Sequence, residues 1–206
     1  MIKPKIILVG AGGHCRSCID VIEQEDRFEI LGIVDKAGSG ESNAVLDYPL
    51  MGTDDDLSVL RKECGRALVT VGQIKSVAAR IRIFKQLKAL GFELPTIISP
   101  LAYVSPHATI GEGSIVMHGA IVNAGAKIGG NCILNSHSLV EHDAEIGDFV
   151  HVSTGAIING DSKVYNNSFV GSGAIVIHGI TLPEYSFVRA GLLVVSDKDV
   201  RTLEHH

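Results

Sequence analysis

The sequence has no tryptophan and only 5% aromatic residues, while glycine is frequent. That profile argues against a general helical globule and for small, tightly turned repeating units. It contains no long basic run, and its formal net charge is −5, so neither a nucleic acid nor an anionic membrane is an expected partner. No apolar stretch approaches the length of a membrane span, and Met1-Ile2-Lys3-Pro4 runs straight into a short β-branched segment. A cytoplasmic location is the expectation. The four cysteines (Cys15, Cys18, Cys64, Cys132) do not have the pattern of a disulfide framework. In quantity the chain has glycine, 23 residues, and hydrophobic side chains, 46% against 20% charged. A packed core is therefore within reach and disorder is not expected.

Residues 1–97 alternate strands and helices. Lys5 to Val9 is a β-branched run that leads into Gly10-Ala11-Gly12-Gly13-His14. A helix is predicted over Cys15 to Glu25 with Cys18, Ile19 and Ile22 inward, then a strand over Glu29 to Val34 ending at Asp35. Thr53 is a candidate N-cap for a helix over Asp54 to Lys62, whose first turn carries three acids. Ala67 to Val71 is a third strand stopped by Gly72, and Val77 to Leu90 a third helix, with Ile81, Phe84 and Leu87 on one side and Gly91 after its end. The expectation is an α/β half-Rossmann unit. Gly10 and Gly12 begin a G-x-G-x-x-G pattern, but Cys15 stands at the third glycine, which is weak support for a dinucleotide. Backbone N–H groups at a helix N-terminus still suit an anion, and the Asp35 carboxylate suits a hydroxyl or a uracil edge. Together they fit the diphosphate of a UDP-sugar. The alternative is a strand-turn-helix whose glycines serve only close packing. Cys15 and Cys18 stand one helical turn apart and read as two buried thiols rather than a redox pair.

From Ile98 the period changes to six. Ile98, Val104, Ile110, Val116 and every sixth residue through Val200 are Ile, Leu or Val, 18 positions without exception, although these types make up only 61 of 206 residues. Four places after each stands a small or compact residue (Ala102, Ala108, Ser114, Ala120 and onward), until Ile180, Leu192 and Lys198 break the rule. Neither a helix nor an ordinary strand has this period. It is a solenoid signature: a triangular prism in which each hexad supplies one flat strand and one corner, and residues 18 apart stack. Nothing interrupts the register, so no long loop is expected to leave residues 98–202. Residues 203–206, Leu203-Glu204-His205-His206, read as the start of an expression tag.

The hexad array resembles the hexapeptide acyltransferases, whose coils wind left-handed. With Gly10-Ala11-Gly12-Gly13-His14 and Asn135-Ser136-His137-Ser138-Leu139-Val140-Glu141-His142-Asp143, it is similar to the sialic acid O-acetyltransferase family, which includes the bacterial UDP-4-amino-sugar N-acetyltransferases. The fold implied is a half-Rossmann domain followed by a left-handed parallel β-helix. The function implied is transfer of an acetyl group from acetyl-CoA to an amino sugar on a nucleotide by a homotrimer, with no metal.

Thioester aminolysis needs a base near neutral pH, and histidine suits it. The resemblance places that base at His142 and an orienting acid at Asp143, while Glu141 could orient the ring from the other side. In the prism, His142 stacks between Ala124 and Gly160, which leaves room for a ligand. No serine or cysteine forms a convincing nucleophile pair with a histidine, so direct attack is expected, with Gly160 N–H a candidate for the oxyanion. The resemblance also implies CoA or acetyl contacts at His151, with Gly160 and Ser172 completing the donor groove. It implies sugar-nucleotide contacts at Gly12, Gly13, His14, Asp35, Lys36, Gly52 and Gly72. One departure is that the Gly-x-Pro-Ala-Lys-like close of the last coil is missing, the repeat ending in Val194 to Val200.

Three alternatives stand beside this reading. One is O-acetylation of a sialic-acid-like sugar. The second is a γ-carbonic-anhydrase-like zinc enzyme, because His137 and His142 have the spacing of that class's zinc pair. A further histidine would then be needed two coils below the first, where this chain has Leu101. The third is a non-catalytic scaffold. His107, His118 and His178 read as solvated corner residues.

Overall fold

The structure is a computed structural model that describes residues 2–36, 43–74 and 76–202. Residues 203–206, read above as a tag, lie outside the described residues. The chain divides into two compact units.

The first unit comprises the chain up to Gly72 together with Ala78–Ile97. It holds β1 (Lys5–Val9), α1 (Gly13–Glu25), β2 (Glu29–Val34), β3 (Ala44–Val45), β4 (Tyr48–Gly52), α2 (Leu57–Glu63), β5 (Ala67–Val69) and α3 (Ala78–Ala89). The sheet order is β3-β4-β2-β1-β5, parallel except for the β3–β4 hairpin. β1 is buried along its length after Lys5 because both of its neighbours are parallel strands. Helix α1 starts at Gly12, whose backbone is extended, and stops at Asp26 in the left-handed region. Its buried face carries Cys15, Cys18, Ile19, Val21 and Ile22.

Three details differ from the sequence expectation. Thr53 does cap a helical turn, with its side chain and backbone N–H both directed to Asp56, but that turn is 3₁₀ over Asp54–Asp56 and the α-helix begins at Leu57. The third strand ends at Val69, because Thr70 and Val71 turn away to meet Gly10 and Arg80: Thr70 Oγ1 donates to the Gly10 carbonyl at 2.7 Å, and Arg80 Nη1 donates to the Val71 carbonyl at 2.6 Å. Helix α3 is rotated so that Arg80, Ile83 and Leu87 are its buried residues and Ile81 is only half-buried. The Arg80 side chain takes the inward place, where its Nη1 donates to the Val69 and Val71 carbonyls at the end of β5.

The second unit is a parallel β-helix running from Ile98, joined by Gln73–Val77. The hexad strands pair in parallel with the strands one coil before and after, as in Ile121–Val122 with Tyr103–Val104 and with Leu139–Val140. Among the described residues the three faces carry six, five and seven strands, the last of the seven being Arg201–Thr202, which pairs antiparallel with Ser186 and Phe187. The predicted aliphatics form one buried column set from Val116 to Val194, with Ile98, Val104, Ile110 and Val200 packed against it. Each fully buried Val, Leu or Ile adds about 1.5–3 kcal/mol over an exposed one. Ile180 and Leu192, which break the small-residue rule, pack against the same core as half-buried residues near its end. The fold is therefore the expected α/β half-Rossmann-like unit followed by a parallel β-helix.

The faces differ in what they show outward. One presents Thr109, Lys127, Glu145, Lys163 and Thr181, with both lysines 3.4 Å from Glu145. A second presents Tyr103, Ile121, Leu139, Ile157, Ile175 and Leu193 in one stacked column. The third carries Ile115, Ile133, His151 and Phe169, all buried.

Candidate functional site

His142 and Asp143 lie at one corner of the β-helix. His142 Nδ1 is 3.0 Å from Asp143 Oδ2, and both side chains are exposed. A carboxylate can only accept, so the ring proton sits on Nδ1 and Nε2 is left as the basic atom. That hydrogen bond is the largest influence holding the His142 pKa above the ordinary histidine value; slight burial opposes it, and the charges of Asp143, Asp161 and Glu141 add to it. Asp143 adopts a left-handed backbone, with φ of 59°, a conformation aspartate tolerates. Glu141 does not touch the ring. Its carboxylate accepts the His142 backbone N–H at 3.3 Å and the Asn123 side-chain amide at 2.8 Å, and so fixes the corner that carries the imidazole.

Gly160 is the seat of that imidazole. A Cβ there would stand 2.7 Å from both Cε1 and Nε2 of His142. The stacking read from the sequence is thus present, with Gly160 buried beneath the ring. The remaining predicted donor residues are Ser172 and His151. Ser172 is exposed and shares a 2.9 Å hydrogen bond with Ser153. His151 is 6% exposed and edge-on to Phe169, with Nδ1 2.6 Å from the Gln73 carbonyl and Nε2 3.2 Å from Asn135 Nδ2. Its strand position faces outward, but Gln73 covers it, and Gln73 is 78 residues earlier in the chain.

The other histidines are dispersed. His137 packs on Gly119, His118 is bonded to Ser99 Oγ at 2.6 Å, and His178 Nε2 stands 3.5 Å from Asp161. His118 is half-buried rather than solvated, and His107 is exposed. Among the described residues no group of three or more His, Cys, Asp or Glu is placed to hold a metal. Cys15 and Cys18 are free and buried, and burial raises both thiols, Cys15 to about 11. They are inert core groups.

The first unit has its own cavity, of about 640 Å³, where β1, β2 and β5 end. A crevice at the carboxyl ends of parallel strands is the usual ligand site of such sheets. Of the residues expected to hold a sugar nucleotide, Gly12, Asp35, Lys36 and Gly72 line it. Gly13 and His14 open α1 beside it, outside the lining. Gly52 lies in β4 instead, where its carbonyl accepts the Asp35 N–H at 3.3 Å and a Cβ would strike Asp56. Asp54 and Arg82, paired at 2.8 Å, also line the cavity and were not picked out from the sequence, although Ala79, Arg82 and Ile83 form a helical stripe that marks one wall.

Comparison with known proteins agrees with both units. The PglD N-terminal domain family matches residues 5–87. The acetyltransferase domain of PglB from Neisseria gonorrhoeae FA1090, solved in complex with acetyl coenzyme A, is 30% identical with a TM-score of 0.85, covering 98% of this chain and all of that one. A histidine-to-asparagine variant of perosamine N-acetyltransferase from Caulobacter crescentus, in complex with CoA and GDP-perosamine, is 28% identical with a TM-score of 0.71, covering 96% of this chain and 90% of that one. WeeI from Acinetobacter baumannii AYE, at 20% identity and a TM-score of 0.61, shares the fold. The chain belongs to the hexapeptide-repeat family of left-handed β-helix sugar acetyltransferases that carry a PglD-type N-terminal domain, and it is an acyltransferase.

Proposed function

We propose that this protein transfers the acetyl group of acetyl-CoA to the amine of a nucleotide-linked amino sugar, a UDP-4-amino-sugar, in the synthesis of bacterial surface glycans. The observation that carries the chemistry is the His142–Asp143 pair, with Nε2 free to act as base and the ring seated on Gly160. The relatives support the donor and the acceptor class: one was solved with acetyl coenzyme A, another with CoA and GDP-perosamine.

In the reaction His142 Nε2 takes a proton from the sugar amine as nitrogen bonds to the thioester carbon. The carbonyl oxygen becomes the oxyanion of a tetrahedral intermediate, for which the Gly160 N–H is our candidate donor. Collapse breaks the C–S bond, and the CoA thiolate takes a proton from the imidazolium. Asp143 holds the tautomer and stabilises the charged ring. His151 and Ser172 border the donor in this reading. Gly12, Gly13 and His14 offer the start of α1 to the diphosphate, Asp35 and Lys36 meet the nucleoside, Gly72 shapes the cavity wall, and Gly52 acts from β4 by holding the Asp35 backbone N–H.

We further assign a homotrimer, packed through the column Tyr103, Ile121, Leu139, Ile157, Ile175 and Leu193. Three of these, Tyr103 at 55%, Ile121 at 39% and Leu193 at 54%, are large exposed hydrophobics in the isolated chain. Three copies meeting around a threefold axis would cover these six stacked apolar side chains. The reading assigns the reaction to the cytoplasm, where acetyl-CoA and sugar nucleotides are made. The assay is thiol release from acetyl-CoA in the presence of UDP-, GDP- and CMP-linked sugars, with the product mass recorded. An acetylated UDP-amino sugar supports the reading, whereas turnover only with a sugar hydroxyl or a CMP-sugar contradicts it.

A further inference from the structure

A buried hydrogen-bonded chain runs through Gln73, His151 and Asn135. Gln73 is 3% exposed, and its amide nitrogen donates to two carbonyls of the β-helix, Phe149 at 3.1 Å and Ser168 at 3.2 Å. Its backbone carbonyl lies 2.6 Å from His151 Nδ1. A carbonyl cannot donate, so Nδ1 carries a proton. On the other side of the ring Nε2 lies 3.2 Å from Asn135 Nδ2. The amide of Asn135 has one consistent orientation, because its Oδ1 accepts the Ser136 N–H at 2.8 Å, which leaves Nδ2 as the atom facing the imidazole. Nδ2 is a donor, so Nε2 is an acceptor and carries no proton. Both ends of the ring therefore agree on the neutral Nδ1–H tautomer.

We propose that Gln73 is a positioning residue for acyl transfer: its carbonyl fixes the tautomer of His151, and His151 in turn fixes the side-chain amide of Asn135. This rests on the reading that His151 borders the acyl donor, and it changes how His151 acts there. With its Nε2 lone pair directed to Asn135, His151 does not offer a proton to the acetyl carbonyl. It works through Asn135, which is half-buried and keeps one amide hydrogen beyond the bond to the ring. The sequence gives no sign of this, since Gln73 lies in the connection between β5 and α3.

The test is nitrogen NMR of the full chain with labelled histidine. The expected His151 signature is a pyrrole-like Nδ1 and a pyridine-like Nε2; a proton on Nε2 in the wild type overturns the proposal. Asn135→Asp replaces the donor by an acceptor and should draw a proton to Nε2, giving an imidazolium signature for His151. An unchanged tautomer in that variant also overturns it. Gln73→Ala keeps the carbonyl but loses the two anchoring bonds. It should raise the KM for acetyl-CoA about tenfold, the weight of one buried hydrogen bond, with the KM for the sugar nucleotide unchanged. If the NMR signatures hold while Gln73→Ala and His151→Ala leave the acetyl-CoA KM untouched, the tautomer stands and the link to the donor is refuted. Should Gln73→Ala fold poorly, the NMR of the wild type and Asn135→Asp still decides the matter.

Discussion

The imidazole of His142 rests on Gly160, the residue one coil further along the β-helix, at a separation that leaves no room for a methyl group. The contact gives a ring on an exposed corner a hard backing, so Nε2 is aimed by the backbone beneath it as well as by Asp143. Gly160→Ala should therefore displace the base without disturbing the prism. The closest clash is with the end of a side chain, which can rotate away, and the His142 carbonyl, 3.2 Å from the added Cβ, must give by only a little, so the melting temperature should fall only slightly. The rate should fall about a hundredfold, as expected for a shift of about 1 Å in a reacting group. Wild-type turnover in this variant would show that the ring is not held in its working position by Gly160.

The pH profile carries a sign that can be checked. Hydrogen bonding to Asp143 raises the His142 pKa, and the base must be neutral to act. Activity should therefore fall on the acid side through a pKa above the ordinary histidine value. Asp143→Asn removes the main cause while keeping a residue suited to the left-handed corner. Its acid limb should move to lower pH, and its plateau rate should drop because the imidazolium is no longer stabilised. A raised pKa stabilises the folded chain below the unfolded pKa, and this contribution disappears as pH rises through the folded value. Any loss of stability in Asp143→Asn should thus be confined to acidic pH. An acid limb that does not move would exclude His142 as the titrating base.

Gly12 offers a case in which stability and activity part. It is the N-cap of α1 and no neighbour lies within 4 Å of where a Cβ would be. Gly12→Asp should stabilise α1 through capping and the helix dipole, by about 0.3–1 kcal/mol. The same charge at the cavity should repel a diphosphate. The expected result is a higher melting temperature, a raised KM for the sugar nucleotide and an unchanged KM for acetyl-CoA. Unimpaired use of the nucleotide would move the acceptor away from this cavity.

Ile157 stands midway along the outward apolar column. Ile157→Asp leaves the inward core column intact, so each chain should fold, but it should place a charge in the proposed subunit contact. Sedimentation velocity should show a trimer for the wild type and a monomer for the variant. A trimer that persists would put the interface on another face.

Much of the fold is written in the sequence because its signals are local and repeated. Eighteen aliphatics six apart specify an inward column, and the parallel pairs 18 residues apart follow from three hexads to a coil. The glycine turn before α1 and the aliphatic strand before it are equally plain. The β3–β4 hairpin was missed because its turn uses Leu46 and Asp47, with Leu46 at φ 52°, and so lacks the Asn-Gly signal. Of the expected face of α3, Leu87 and Phe84 do pack on the core, but Arg80 takes an inward place that the sequence does not show, because the carbonyls that accept from its Nη1 are supplied only by the tertiary structure. At the site, adjacency in sequence made the His142–Asp143 pair readable. The burial of His151 depends on a contact across 78 residues, which no local pattern encodes.

The most direct test of the account is acetyl transfer by His142→Ala, measured at saturating acetyl-CoA and UDP-4-amino-sugar alongside the wild type. The account predicts a loss of about a hundredfold to ten-thousandfold in kcat, the weight of a positioned general base. The oligomeric state and the binding of both substrates should be unchanged. A variant that turns over at the wild-type rate would contradict it and place the base elsewhere in the structure.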